Sequence, residues 1–538
     1  MTAYRMILLA TVLAGAGVLL LPTGVLSFLL SDDAYYYLKT AQNTIALGFP
    51  TFDGINETDG FHPLWMAVLI VASSISAAGP EAFLKTALLL QLGLGASLIC
   101  LVLRLAKPFG GGASETFVAV FLAVTFTLAS PGLIWFNGLE SALAITLIAL
   151  ILGMNQETEI IRPNLSWQHA AVFGGLAGLM MLARLDSAFL LVGLALWCLV
   201  TRRSGLGAFP QRVATVVRTY WPAVLVFVLV IGPYFIWKQL QFGHLTPISG
   251  ALKTTFPDPV FRPKVLLQNA PYVLSLFVAG VYLVGLFRQR AVGSRHADIQ
   301  LLAGFWIGCV IHLVWTVCFM GWGTFQWHFA VYVPVVAMIL ALSAAGSLWP
   351  FNVLKGRAIV VLSVVVVGSY AVVIGALRGD HHLPRIKAAD WAYEALGADA
   401  VIGLRDAGAF GYYSNTSTVN IDGLINGYEF QTAMADGKVG DYFDAIGMQY
   451  LADAYVPCDY SAYTVGISAY PGKREYFHSV HVATMTISRE VFRSTPADNQ
   501  RQFGRSADPV CFVIWEEDGS SFVRRQPVAD IEPGQNQK

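Results

Sequence analysis

The sequence predicts a polytopic α-helical membrane protein that carries a C-terminal α/β domain outside the membrane. Three observations predict it. The 538-residue chain is 56% hydrophobic and only 13% charged, with a mean hydropathy of +0.59, more apolar surface than a soluble core needs. Apolar stretches of about twenty residues recur up to residue 376, each long enough to cross roughly 30 Å of hydrocarbon. Beyond residue 378 the composition changes: Gly, Asp and Tyr rise and charges return.

Taken in order, the spans fall at residues 6–30, 63–79, 83–104, 116–135, 140–154, 169–183, 186–201, 220–240, 265–287, 298–318, 327–347 and 357–377. The first run is longer than the apolar core of a signal peptide and shows no clear small-x-small cleavage site, so it reads as a retained span. Lysine and arginine set the orientation. Arg202, Arg203, Arg212 and Arg218 share one loop, Arg288, Arg290 and Arg295 another, and Lys355 and Arg357 a third. These loops alternate and read as cytoplasmic, which puts 31–62, 241–264, 319–326 and everything after 378 outside. One conflict stands. Arg104 and Lys107 mark the 105–114 loop as cytoplasmic, whereas two full crossings between 63 and 104 would put it outside. Either 63–79 or 83–104 fails to cross, or these charges mislead, so eleven or twelve spans are predicted.

Residues 379–526 read as the α/β domain. Arg385–Leu396 is patterned as a helix, and Ala400–Leu404, Thr418–Ile421, Val480–Ile487 and Val510–Trp515 as strands. Residues 527–538, with Pro533-Gly534-Gln535-Asn536, read as a disordered tail. Cys100, Cys198, Cys309 and Cys318 fall in predicted spans as small apolar residues. Cys458 and Cys511 fall in the distal domain, where an oxidising compartment would let them pair. A net charge of zero argues against a nucleic-acid partner, and no metal-type Cys/His spacing occurs.

Chemistry-bearing residues gather at the predicted outer ends of the spans. Asp32 and Asp33 put like charges side by side at a membrane surface, a costly arrangement that marks proton or cation handling. Residues 34–48 read as an interfacial amphipathic helix with Tyr35, Tyr36 and Tyr37 at headgroup depth, where a lipid-linked phosphate would lie. One carboxylate could take a proton from an attacking hydroxyl, and the other could bind a hard cation or orient the acceptor. His62 precedes Pro63, a good helix starter, and reads equally as a cap or a site residue. Glu140 stands in the first turn of a span, where the helix dipole also favours it. Arg184 and Asp186 lie between two apolar helices, as an internal ion pair or part of a site. The 243–253 loop supplies His244, hydroxyls and Lys253, a point-charge partner for phosphate. Trp327 and His328, with Trp322, mark an aromatic belt or a sugar platform. Asp422 and Asn426 read first as turn residues.

The runs Asp32-Asp33-Ala34-Tyr35-Tyr36-Tyr37, Thr51-Phe52-Asp53-Gly54 and Asp59-Gly60-Phe61-His62-Pro63-Leu64-Trp65 resemble the first outer loop of bacterial GT-C glycosyltransferases. Those enzymes take a sugar from a polyprenyl-phosphate carrier at the outer face of the membrane. Gly138-Leu139-Glu140-Ser141, Arg184-Leu185-Asp186 and Pro247 to Lys253 look like further landmarks. Asn420-Ile421-Asp422-Gly423-Leu424-Ile425-Asn426 is similar to a run in members with a C-terminal extracytoplasmic domain. The resemblance implies a GT-C catalytic domain over 1–378, with loop 31–62 catalytic. It implies an inverting transferase in the bacterial cytoplasmic membrane, its site on the periplasmic side. The donor would be a polyprenyl-phosphate-linked sugar and the acceptor a glycan, lipid or protein; the nearest branches are arabinofuranosyl- and mannosyl-type. Asp32 or Asp33 would be the general base, with Lys253, Arg184 and His244 on the donor phosphate. His62, Glu140, Asp186, Tyr36, Trp327 and His328 would surround the substrates. A divalent cation (Mg, Mn or Ca) at Asp32 and Asp33 is compatible with this but not demanded by it. The family's motif is more often Asp-x-Asp or Glu-Asp, so the contiguous pair leaves open which aspartate is the base. The alternative is a transporter or flippase of a lipid-linked glycan. That calls for ionisable residues at mid-membrane and inverted repeats, and the sequence shows neither.

Overall fold

The computed structural model describes residues 3–524 apart from 76–78, 130–134, 162–164, 202–208, 289–295, 347–381, 462–463, 470–479, 496–509 and 520–522. The predicted span 357–377, the charges at Lys355 and Arg357 and the tail 527–538 lie outside the described residues.

The first part of the chain is a bundle of apolar helices. It begins with α1 (Ala3–Leu20), α2 (Asp32–Leu47), α3 (Pro63–Ile75), α4 (Pro80–Ala106) and α5 (Gly111–Ala129). It continues with α6 (Ser141–Thr158), α7 (Trp167–Ala183), α8 (Ala188–Thr201), α9 (Phe209–Phe242) and the six-residue α10 (Ile248–Lys253). The last three are α11 (Ala270–Arg288), α12 (His296–Phe319) and α13 (Tyr332–Ala345). Among the described residues, six helices are long and apolar enough to cross a membrane: α4, α5, α6, α9, α11 and α12. Helices α1, α3, α7, α8 and α13 are apolar but shorter. Small residues let helices approach closely: a Cβ on Gly193 of α8 would lie 2.2 Å from Gly308 N and 2.4 Å from Gly304 O of α12.

Contacts sort the helix ends into two layers. At the far end Arg104 pairs with Glu157, Asn155 Nδ2 donates to Asp298 (2.8 Å), and Trp197 Nε1 donates to Gln300 (2.6 Å). At the other end the segments around residues 32, 62, 140, 184, 253 and 327 converge beneath the C-terminal domain. This layering resolves the charge conflict. His62, just before α3, lies against Leu185 at the domain end, and Pro80, five residues past Ile75, accepts a hydrogen bond from Tyr412 of the domain (2.6 Å). Both flanks of α3 are at the domain end, so 63–79 does not cross. Its 13 residues would reach only about 20 Å. Helix α4 then runs from the domain end to the far end, which puts Arg104 and Lys107 on the side expected from their charge. Among the described residues α4, α5, α6, α9, α11 and α12 have the length to cross. The predicted first span also ends early. Helix α1 stops at Leu20, and beyond Pro22, which cannot continue a helix hydrogen-bond ladder, only short turns cover 23–29.

The C-terminal domain holds a mixed sheet. Its strands are β1 (Val401–Leu404), β2 (Ser417–Asn420), β3 (Tyr450–Pro457), β4 (Thr464–Ala469), β5 (Val480–Arg493), β6 (Val510–Glu517) and β7 (Val523–Arg524). Their order is β2-β1-β3-β6-β5-β4, with β7 on β5. Strand β1 is parallel to β2 and β3; the other pairs are antiparallel. Around it lie α14 (Leu383–Ala395), α15 (Gly408–Tyr413), α16 (Tyr428–Ala435) and α17 (Val439–Ala445). The four strands and the helix expected from sequence are all present. Strands β3, β4 and β7 and three short helices were not expected. Cys458, just past the end of β3, forms a disulfide with Cys511 of the neighbouring strand β6. The carboxyl ends of β1 and β2 face the helix bundle, and that edge carries the domain's contribution to the site.

Candidate active site

Helix α2 lies across the domain end of the bundle. Its first turn holds Asp32 and Asp33, both favoured there by the helix dipole. Neighbouring helical residues point about 100° apart, so the two carboxylates part company. Asp32 turns into the C-terminal domain, where it accepts from the amides of Gly408 (2.8 Å) and Ala409 (3.0 Å) at the start of α15. A Cβ on Gly408 would meet Asp32 O at 2.1 Å, so only glycine permits this approach. Burial pushes the Asp32 carboxyl up to about 7, against the pull of Arg385. Tyr36, on the same helix, accepts from Ala407 N (2.9 Å) and Asn420 Nδ2 (3.0 Å) of the domain. Tyr35, Tyr36 and Tyr37 are 0, 5 and 7% exposed, covered by protein.

Asp33 turns the other way, into a cavity. Tyr36 and Tyr37 line it too, three and four residues on, as a shared helical face requires. His62, Glu140, Arg184, Lys253, Trp327 and His328 complete most of the wall. Six segments far apart in sequence thus meet. Burial raises the Asp33 carboxyl above its ordinary range, while Lys253 opposes the shift.

A hydrogen-bonded chain fixes the floor. Tyr37 Oη donates to Glu140 Oε2 (3.0 Å) and accepts from His62 N (2.9 Å). Glu140 Oε1 receives Arg184 Nη1 at 2.6 Å, and Asp186 takes the other face of the guanidinium through Nε (3.1 Å) and Nη2 (2.6 Å). Arg184 and Glu140 are 2 and 3% exposed. His62 Nδ1 accepts from Leu185 N (3.3 Å), which leaves the ring proton on Nε2, 3.7 Å from Glu140 Oε1. Burial lowers the His62 pKa and keeps the ring neutral. The strand of loop before Glu140 is pinned by Gln91, which donates to Leu139 O (2.8 Å), and by Trp65, which donates to Gly138 O (3.0 Å).

The roof comes from elsewhere. Lys253 closes α10, and its carbonyl accepts from Gly321 N (2.9 Å). Trp327 stacks on Phe325 (centroids 4.6 Å apart, 7° between planes), and His328 Nδ1 accepts from Phe325 N. Leu424 and Ile425, in the loop after β2, reach the cavity from the C-terminal domain. That loop is braced: Asn420 Oδ1 accepts from Leu424 N (3.1 Å), and Asn426 Nδ2 donates to Asn420 O (3.1 Å). Asp422 and Asn426 thus serve the turn, and neither lines the cavity.

The structure places the other predicted site groups as follows. Asp32 is docked in the domain, not open to the cavity. His244 is exposed and stacked on Tyr428 (4.5 Å), away from the site. Asp186 is spent on Arg184, whose charge is in turn met by two carboxylates, so Arg184 stands as a brace for Glu140. At the suggested cation position both Asp32 oxygens hold amides, and Asp33 faces the cavity instead. Among the described residues no group of three or more His, Cys, Asp or Glu could hold a metal ion. Sequence reading did not single out Tyr37, whose spacing from Asp33 signalled it, nor Ser249, Leu424 and Ile425, which it met only within longer runs.

Residues 375–498 match a family described as a domain of unknown function (DUF8728). No curated protein matches the sequence. Among solved structures, ArnT from Cupriavidus metallidurans bound to undecaprenyl phosphate is similar with a TM-score of 0.52 at 13% identity, over 84% of this chain and 93% of that one. The same protein in the apo state gives 0.52 at 12% identity over the same shares. The archaeal oligosaccharyltransferase AglB from Archaeoglobus fulgidus, in complex with an inhibitory peptide and a dolichol-phosphate, gives 0.45 at 12% identity over 79% of this chain and 66% of that one. The chain shares the fold of ArnT: apolar helices followed by a C-terminal sheet domain.

Proposed function

We propose that this protein is an inverting glycosyltransferase that moves a sugar from a polyprenyl-phosphate carrier to an acceptor glycan, lipid or protein, with its site at the outer face of a bacterial cytoplasmic membrane. One observation carries the reading: a single cavity gathers Asp33, His62, Glu140 and Lys253 at the domain end of the bundle. The undecaprenyl phosphate bound by the similar ArnT supports a lipid-phosphate donor here. The Cys458–Cys511 disulfide suits a domain in an oxidising compartment.

Asp33 is the base. Its carboxylate takes the proton of an acceptor hydroxyl as the oxygen attacks the anomeric carbon. The bond from that carbon to the phosphate oxygen breaks, and polyprenyl phosphate leaves with the electron pair. A single displacement inverts the centre. A raised carboxyl pKa makes Asp33 a stronger base than an exposed aspartate. Lys253, on the roof, stands opposite the growing charge of the leaving phosphate. Glu140, held by Tyr37 and Arg184, and neutral His62 shape the sugar pocket, with Trp327 as an apolar face. No step is routed through a metal, because the donor set does not converge on one. Residues 1–378 form the catalytic unit, and 379–526 contribute the Leu424–Ile425 wall.

The test is release of polyprenyl phosphate from a panel of polyprenyl-phosphate arabinofuranose, mannose and glucose, with and without envelope extract. Wild type should release it from one donor and Asp33→Asn should not. Folded wild type that releases nothing in either condition overturns the reading. The cavity's charges lie at one end of the bundle, which does not suit a flippase path through the membrane.

A further inference from the structure

We propose that Asp59 is a positioning residue whose buried bond to Lys238 fixes where α10 holds Lys253 in the cavity; this rests on the transfer reading above. Both side chains are 0% exposed. Lys238, near the end of α9, forms an ion pair with Asp59 Oδ2. Asp59 Oδ1 accepts from the amide of Ile248 at 2.8 Å, and Ile248 is the first residue of α10. Tyr428 Oη, from the first turn of α16, lies 3.2 Å from Asp59 Oδ2 and 2.7 Å from Thr246 O.

One carboxylate therefore ties together four pieces: the outer loop, a membrane helix, α10 and the C-terminal domain. Each borders the site. Gly60, next to Asp59, lines the cavity, Ser249 and Lys253 of α10 line it, and Ile425 stands three residues before Tyr428. A buried ion pair seldom outdoes apolar packing for stability. What it supplies here is direction, because the carboxylate accepts from donors on separate elements at fixed angles. Lys253 is the last residue of a helix of less than two turns, so the anchor at Ile248 sets its position directly.

Asp59→Leu alone would strand a buried ammonium and unfold the protein. Asp59→Leu/Lys238→Met removes both charges and the tether yet keeps apolar volume, so it should fold. In this variant the donor KM should rise at least tenfold while the acceptor KM stays unchanged. Hydrogen exchange at residues 248–253 should quicken. Adding Lys253→Ala should cost no further, because the anchor acts through that residue. Asp59→Asn/Lys238→Gln, which keeps neutral donors and acceptors, should recover most of the donor KM. Ile248→Pro deletes the tethered amide at a first helical position that tolerates proline, while also trimming a buried side chain, and serves if the double variant does not fold. A folded variant with wild-type donor KM overturns the inference. So does a fall in kcat with both KM values intact, which signals less active enzyme and no repositioning. If wild type itself transfers nothing, the transfer reading fails separately. Affinity for undecaprenyl phosphate then serves as the readout, and equal affinity in wild type and double variant overturns the anchor.

Discussion

Adjacent residues of a helix point in different directions, and at Asp32 and Asp33 that angle gives two carboxylates two surroundings. Asp32 is held by amides of another domain, and Asp33 is left facing the cavity. As a base Asp33 must be ionised, and its pKa stands above the ordinary carboxylate range. Below that pKa it is protonated and idle, so kcat/KM should fall with acid along a limb that lies above about pH 4. Asp32→Asn removes a second nearby carboxyl with a raised pKa and should leave the limb in place. Asp33→Asn should lose about 10² to 10⁴ of the rate. A pH profile flat down to pH 4 would remove Asp33 from the base role. The residue types of this site were legible in sequence: Asp33, His62, Glu140, Lys253, Trp327 and His328 all reach the cavity. Their partners were not. Nothing local to Arg184 says that Glu140, 44 positions earlier, takes one face of it and Asp186 the other.

Whole elements show how closely the two domains are fitted. The loop after β2 presses on the outer loop so tightly that a Cβ on Gly60 would lie 2.2 Å from Leu424 O. Gly60→Ala should therefore push the roof away and cost about 1–3 kcal/mol, as other overpacking changes do. Thermal unfolding with transfer assays would check it; a variant as stable and active as wild type would mean that the loop yields freely. Long apolar helices were readable because twenty apolar residues have few other uses. Composition alone left open whether α3 crosses, because apolar content does not fix length, and its 13 residues fall short of a span. Four strands were readable by their β-branched runs, whereas β3 was not, since Ala, Asp and Tyr dominate its middle.

At the scale of the molecule, topology follows from α3 staying at the domain end. A cysteine placed at Gly79 should react with an impermeant reagent from the same side as one at Thr432 in the C-terminal domain. A cysteine at Gly110 should react only from the other side. Labelling of Gly79 opposite to Thr432 would restore α3 as a crossing helix. The domain is seated by many bonds: Asp32 to α15, Tyr36 to Asn420 and Ala407, Thr58 to Asn426 O, and Tyr412 to Pro80. It is a wall of the cavity and not an appendage.

The sequence by itself determined the class of the chain, the end of the bundle where the chemistry gathers and most of the residue types involved. Hydrophobic length and charge placement are local quantities that the membrane reads directly. The tertiary structure decided which aspartate faces the cavity, which charges are spent on each other and that Leu424 and Ile425 close the roof. Those outcomes depend on contacts between residues up to several hundred positions apart, and such contacts leave no trace in local pattern.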